Sequence, residues 1–493
     1  MRLNSDKSCR VILLAVLILL PIIACSDTAD DTKAVHLLNR LAFGPAQGDL
    51  NSIKFVGINT YIEQQLHPEL IPLPTNLTAH LEQLDTLQLD PFQLYKAYGP
   101  PPVNKGAKPD PQTVKEARQR AHIIVMQAAE ARLARAIESP RQLQEVMVEF
   151  WYNHFNVFAG KGLDNLWIGA YEEEVIRPHV LGRFSDLLDA TAKHPAMLFY
   201  LDNWLNTAPD SPGARGKFDG INENYARELM ELHTLGVHGG YTQQDVTTLA
   251  QILTGWGFRR GGNMEFFFDS RRHDFKDKQF LGQKIKGSGE QEVQEALDIL
   301  ARSPATAQHI SYELSQYFVS DTPNQALVDK LAKRFMDTDG DIRKVLDTLF
   351  HSKEFWDAKN YGNKFKTPYE YIVSAARASG VDVQNYRPLM GALQQLGQPL
   401  YGCLTPNGYQ NTQAVWLNPD AMMRRINFAT LLSAGRLAAK QPMSPPPVVS
   451  VNVNLIEETL GSELSPLTLS IAKKAPEMLR PALIFGSPEF MYR

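Results

Sequence analysis

Cysteine is almost missing from this chain: three residues in 493, Cys9, Cys25 and Cys403. That excludes a disulfide-stapled scaffold and a cysteine-rich metal fold, so stability has to come from packing. Positive charge is not in excess either. With Lys+Arg 50 against Asp+Glu 54, the formal charge is −4 and the isoelectric point is near 6.3, which removes nucleic acid from the expected partners. Long apolar runs are confined to one place, Val11 to Ile23. Several enzyme signatures are missing: there is no His-Glu-x-x-His, no Gly-x-Ser-x-Gly, no Walker loop and no Cys-x-x-Cys. Gly255-Trp256-Gly257 lacks the third glycine of a dinucleotide loop. The stretch Asp337 to Asp341 resembles a calcium loop, but its glycine comes too early and Thr348 stands where the bidentate Glu belongs. It reads instead as a glycine turn with Asp341 capping the next helix. What remains is 44% hydrophobic and 21% charged, an ordinary folded composition with enough length for a large core.

The single apolar run follows Arg2, Lys7 and Arg10 and is shorter than the roughly 20 residues that span a bilayer. It ends Ile22-Ile23-Ala24-Cys25, which looks like a bacterial lipobox: residues 1–24 form the signal peptide and Cys25 becomes the acylated N-terminus. Several acyl chains hold a protein where one alone would be marginal. Ser26 in place of Asp, by resemblance to Gram-negative lipoproteins, sends it to the outer membrane, with residues 25–32 as a polar tether. Losing the signal moves the formal charge to −6 and leaves Cys403 as the one free thiol. A plain secretory peptide or an uncleaved anchor is the alternative.

The mature chain reads as mainly α, a large multi-helix single domain over residues 33–493 with long Pro/Gly loops at Gly99–Pro111 and Pro442–Pro447. Helical periodicity covers Val35–Leu41, Val114–Ile137, Leu143–Phe158, Tyr225–Leu235, Val246–Leu253, Val293–Leu300, Ile310–Phe318, Ala326–Phe335 and Ile342–Phe350. Alternation typical of a strand is found mainly at Val449–Leu455. His194-Pro195, Ser303-Pro304 and Ser487-Pro488 punctuate helix starts. Leu349 to Phe355 echoes Ile484 to Phe490, one helix-turn device used twice.

Two histidines fall on apolar helix faces. His154 sits among Phe150, Trp151, Phe155 and Phe158, and His233 lies between Leu229 and Ala226, with Glu228 and Glu231 as neighbouring carboxylates across the helix. A buried imidazole needs partners for both nitrogens. Structurally satisfied core histidines are one reading; acid/base chemistry, a metal or a haem is the other, although no Glu-x-x-His pair supports a helical di-metal site. A third feature is the cationic, aromatic stretch Arg259, Arg260, Phe266–Phe268, Arg271, Arg272, His273, Asp274, Lys276 and Lys278. It is either a clamp for an anionic ligand or a solvated loop balanced by Asp269, Asp274 and Asp277.

In order along the chain stand Leu37–Pro45, Trp151-Tyr152-Asn153-His154-Phe155, Arg177-Pro178-His179, His194–Leu198, Asn222–Gly236, Gly240-Tyr241-Thr242-Gln243, Leu253-Thr254-Gly255-Trp256, His273-Asp274, Gly397-Gln398-Pro399, Trp416-Leu417-Asn418 and Ser487–Phe490. Together they resemble a large bacterial exported family, domain of unknown function 1800. The resemblance implies one integrated helical domain and, because such proteins are often encoded beside a second exported family, a protein partner. Gly402 to Tyr409 departs from the family's more proline-rich, tryptophan-bearing version of that loop.

The leading expectation is therefore an outer-membrane lipoprotein with a buried polar pocket drawn from His154, Glu228, Glu231, His233, His273 and Asp274. In it His154 or His273 would act as acid/base and the carboxylates would orient a substrate or hold a metal. No particular cofactor is implied. The rival is a non-catalytic binding or assembly protein that uses Arg259, Arg260, Arg271 and Arg272 to dock an anionic glycan or a partner protein.

Overall fold

Helix Pro368–Ser379 is buried along its whole length, so every face of it meets protein. A helix of that kind belongs at the centre of a core. Around it, in a computed structural model that describes residues 28–100, 110–259, 264–435 and 451–493, the chain folds as one mainly α domain with a continuous hydrophobic core. Cys25 with its lipobox, Arg260, most of the Gly99–Pro111 break and all of Pro442–Pro447 lie outside the described residues. No helix among the described residues is long and apolar enough to cross a membrane.

The longest helix, Pro111–Glu138, starts where Asp110 accepts the Thr113 amide at 2.8 Å and proline occupies the first turn. Its buried alanines, among them Ala121, Ala128 and Ala134, keep the helix surface low and let neighbours approach closely. One such neighbour is Pro368–Ser379. The ends of the chain close onto the same core. His36 meets the Phe355 carbonyl at 3.0 Å, Arg40 donates to Asn360 and Asn363, and Arg493 exchanges backbone hydrogen bonds with Lys364.

The expected helices form, with shifted ends. Leu143–Phe158 is observed as Gln142–His154, and Tyr225–Leu235 stops at Glu231, where the Thr234 hydroxyl bonds the Leu229 carbonyl and Gly236 takes φ +80°. The strand expected at Val449–Leu455 is not one. Residues 449 and 450 are outside the described set, and Val453–Leu460 is a helix capped by Asn452, whose side chain takes the Asn454 amide and overrides the short alternation. Strand occurs instead as two small hairpins, Trp256–Phe258 with Phe266–Phe268 and Lys278–Phe280 with Gln283–Ile285.

The repeated motif is the same device in both places. Helices Ile342–Phe350 and Arg480–Phe485 each end on a buried phenylalanine, after which Ser352 and Ser487 accept the amides of Phe355 and Phe490. Asp341 caps Ile342–Phe350 by accepting the Lys344 amide at 3.1 Å, while Gly340 before it sits at φ +73°. Replacing Asp341 with Ala should lower unfolding free energy by about 1 kcal/mol. Urea denaturation of the two proteins checks this, and an unchanged midpoint would refute the cap.

Candidate functional site

A cleft of about 150 Å³ opens where four helical elements and one loop converge. Helix Gln142–His154 brings Glu149 and His154, helix Asn224–Glu231 brings its last residue, Glu231, and Pro304–Phe318 brings His309, Glu313 and Tyr317. Glu370 comes from the first turn of Pro368–Ser379, and Asn407, Tyr409 and Asn411 come from the loop that follows Gln398. That loop is locked on by reciprocal bonds: Asn153 donates to the Tyr409 carbonyl at 2.8 Å and accepts the Tyr409 amide at 2.7 Å. Gly408, at φ +65°, passes so close to Asn153 that a β-carbon would lie 2.2 Å from its carbonyl oxygen.

His154 ends its helix with both ring nitrogens engaged. Nδ1 lies 2.7 Å from Glu313 Oε2 and Nε2 lies 3.1 Å from the His233 carbonyl. The imidazole thus joins the cleft carboxylate to the turn that stops Asn224–Glu231. His309, four residues before Glu313, donates to the Leu232 carbonyl at 3.1 Å and faces the other Glu313 oxygen at 3.6 Å. Burial works against the Glu313 charge, but the two imidazoles hold its carboxyl below the ordinary range. Glu149 moves the other way. Burial pushes its carboxyl up, and the neighbouring Glu370 and Glu172 add to that, although Arg132 pairs with it directly.

Arg132 belongs to a buried ionic chain behind the cleft. It also reaches Glu172 at 3.4 Å; Glu172 pairs with Arg177 at 3.2 Å, and Arg177 with Glu145 at 2.9 Å. Glu172 is presented by a π-helical turn, Tyr171–Ile176, a local widening that alters which residues face inward. Glu370 is held from two sides: Oε2 accepts the Thr367 amide at 2.8 Å in a capping box, and Oε1 pairs with Arg493 at 2.7 Å.

Of the residues singled out from sequence, His154 and Glu231 line the cleft, and His233 packs behind His154 with ring centroids 5.9 Å apart. Glu228 is half-buried on the same helix, does not line the cleft, and is pushed up by burial and by Glu231. His273 and Asp274 are elsewhere. His273 is fully enclosed, bonded to the Thr254 carbonyl at 2.8 Å and to Glu292 at 2.9 Å, while Glu292 also pairs with Lys278 at 2.6 Å. Asp274 accepts the Lys276 amide in a local turn. Among the described residues of the cationic stretch, Arg259, Arg271 and Arg272 have separate partners. Arg272 is buried and donates to the Trp204 carbonyl, Arg271 pairs with Asp269, and Arg259 lies 4.3 Å over the Phe267 ring. Glu149, His309, Glu313, Tyr317 and Glu370 escaped the sequence reading. The signals were His309 and Glu313 at i,i+4 on one helix, and Thr367-Pro-x-Glu370, a capping box before an apolar run. No group of three His, Cys, Asp or Glu among the described residues is arranged to hold a metal ion.

A family model described as a protein of unknown function, DUF1800, matches residues 36–492. The chain belongs to this family. No curated protein and no solved structure matches it. The match takes in every wall of the cleft, so in this DUF1800 chain the cleft is part of the family domain and not an appended piece.

Behind the cleft, burial and the neighbouring His154 and His309 keep His233 neutral, well below the usual histidine range. Its folded pKa is depressed, so the unfolded chain binds the extra proton first and stability falls as pH drops below about 6.5. Replacing His233 with Leu should flatten the slope of unfolding free energy against pH in that window. Chemical denaturation at successive pH values measures it, and an unaltered slope would show that His233 does not contribute.

Proposed function

We propose that this DUF1800 chain is an acid–base enzyme of the bacterial envelope, anchored to the outer membrane through an acylated Cys25 and working in the cleft around Glu149 and Glu313. One observation carries the reading: two carboxyl groups line one cleft and are pushed in opposite directions, Glu149 up and Glu313 down. Such a divided pair supplies a proton donor and a proton acceptor side by side. In this reading Glu149 would give a proton to a leaving group, with Glu172 still paired to Arg132, while Glu313 would take one from the attacking group. His154 is a positioning residue, because both its nitrogens are already bonded within the protein. The second exported protein implied by the family resemblance would be a partner in the same compartment. A binding protein without chemistry is the second reading, favoured by how completely Glu370 and His154 are occupied by protein partners.

Purified lipoprotein incubated with an envelope extract, with products followed by mass spectrometry, tests the proposal. Conversion of a component should fall about 10²- to 10⁴-fold in Glu149→Gln and in Glu313→Gln; because Glu149→Gln also takes a charge from beside the buried Arg132, its melting temperature should fall, and rates are compared at a temperature where circular dichroism shows both variants folded. Because His154 helps keep Glu313 ionised, His154→Gln should move the acidic limb of the rate profile to higher pH. Binding from the extract without turnover in wild type would leave the binding protein as the answer. For the anchor, metabolic labelling with palmitate should mark the wild-type chain and spare Cys25→Ser; labelling of both would refute it.

A further inference from the structure

Resting on the cleft as the working site, we infer that its ligand is an uncharged, polyhydroxylated sugar. Charge narrows the choice first. No lysine or arginine is among the described residues that line the cleft, whereas Glu149, Glu231, Glu313 and Glu370 all are. An anionic ligand would meet carboxylates on several walls. A cation gains little more, because Arg132 already faces Glu149, Arg493 faces Glu370 and the His154 ring faces Glu313. These pairs hold three of the four carboxylates from behind, leave Glu231 as the cleft carboxylate outside the ion pairs, and make the rest a surface of hydrogen-bonding atoms.

The polar groups that remain suit hydroxyls. Side-chain amides of Gln316, Asn407, Gln410 and Asn411 line it; Gln316 Nε2 already donates to the Asp321 carbonyl and Asn407 Oδ1 already accepts the Thr405 hydroxyl, which leaves the Gln316 oxygen as an acceptor and the Asn407 nitrogen as a donor for hydroxyls. Tyr317 is 5% exposed, stands on the cleft wall, and its hydroxyl has no protein partner. A buried hydroxyl left unpaired is costly, so a ligand that bonds it is favoured. Asn411 Oδ1, which lines the cleft from the loop, is unpartnered too. The partly exposed ring of Tyr409 adds an apolar face against which the C–H face of a pyranose can rest.

The test is binding to an immobilised panel of neutral hexose and N-acetylhexosamine oligosaccharides printed beside uronate and sulfated counterparts. Wild-type lipoprotein in detergent should bind within the neutral set and pass over the acidic one. Tyr317→Phe should weaken that binding about three- to tenfold without lowering the melting temperature, since the lost hydroxyl has no partner in the free protein. Equal or stronger binding to acidic glycans, no binding to any glycan, or neutral binding untouched by both Tyr317→Phe and Tyr409→Ala would overturn the inference. The two proposals fail separately. Turnover of an extract component that depends on Glu313, with no glycan bound, removes the sugar and keeps the acid–base reading. Neutral glycans bound equally by wild type and Glu313→Gln, with no turnover, do the reverse.

Discussion

Behind the cleft sits a guanidinium with almost no contact with water, and the centre of the molecule is arranged to keep it neutralised. Arg132 is 3% exposed, pairs with Glu149 and Glu172, and has the rings of Tyr152, Tyr369 and Tyr401 between 5.1 and 5.6 Å from its guanidinium carbon. Stripping water from such a group is expensive, and only close carboxylates with further hydrogen bonds offset the loss. Tyr401 donates one of these, to Glu172 at 2.9 Å. The partners come from the helix that ends at His154, the π-turn, helix Pro368–Ser379 and the loop after Gln398, so one buried charge on the long helix ties four other segments to it. Glu149 reaches the cleft because the same ion holds its other side.

The second constraint is the end of helix Gln142–His154. A helix terminus leaves backbone groups and a final side chain free to be used elsewhere. Here the final side chain is His154, which spans from the Glu313 carboxylate to the His233 carbonyl and so ties together residues 79 and 159 positions away. Gly236 is required where it is: a β-carbon there would lie 3.0 Å from His309 Nδ1, pressing on the second imidazole of the group. The cleft chemistry follows from these two clamps, one ionic and one imidazole-based, acting on carboxylates that face the same space with opposite electrostatic surroundings.

Much of the fold was legible in the sequence because its signals are local. Apolar residues at helical spacing marked Ile342–Phe350 and Ala326–Phe335, Asp341 was readable as a cap, and the Ser352 and Ser487 echo proved to be one turn built twice. The short alternation before Leu455 misled because a two-residue period over a few residues competes poorly with an Asn cap and a following helix. Of the candidate residues, His154 and Glu231 line the cleft, whereas His273 is enclosed away from it between Thr254 and Glu292. The sequence marks His273 as a buried polar residue, but nothing in it says that its partners are Glu292 and Thr254 and not the other histidines.

The sequence by itself determined the class of fold, the family and the presence of histidines on buried helix faces, since periodicity, caps and ordered motifs are properties of neighbouring residues. Only the tertiary structure decided which carboxylates share a cleft and which cations they face. Arg132 meets Glu149 across 17 residues, while Arg493 meets Glu370 from the far end of the chain. Such pairs depend on how whole helices pack, and the balance of burial against nearby charge, which sends Glu149 and Glu313 in opposite directions, exists only once they have packed.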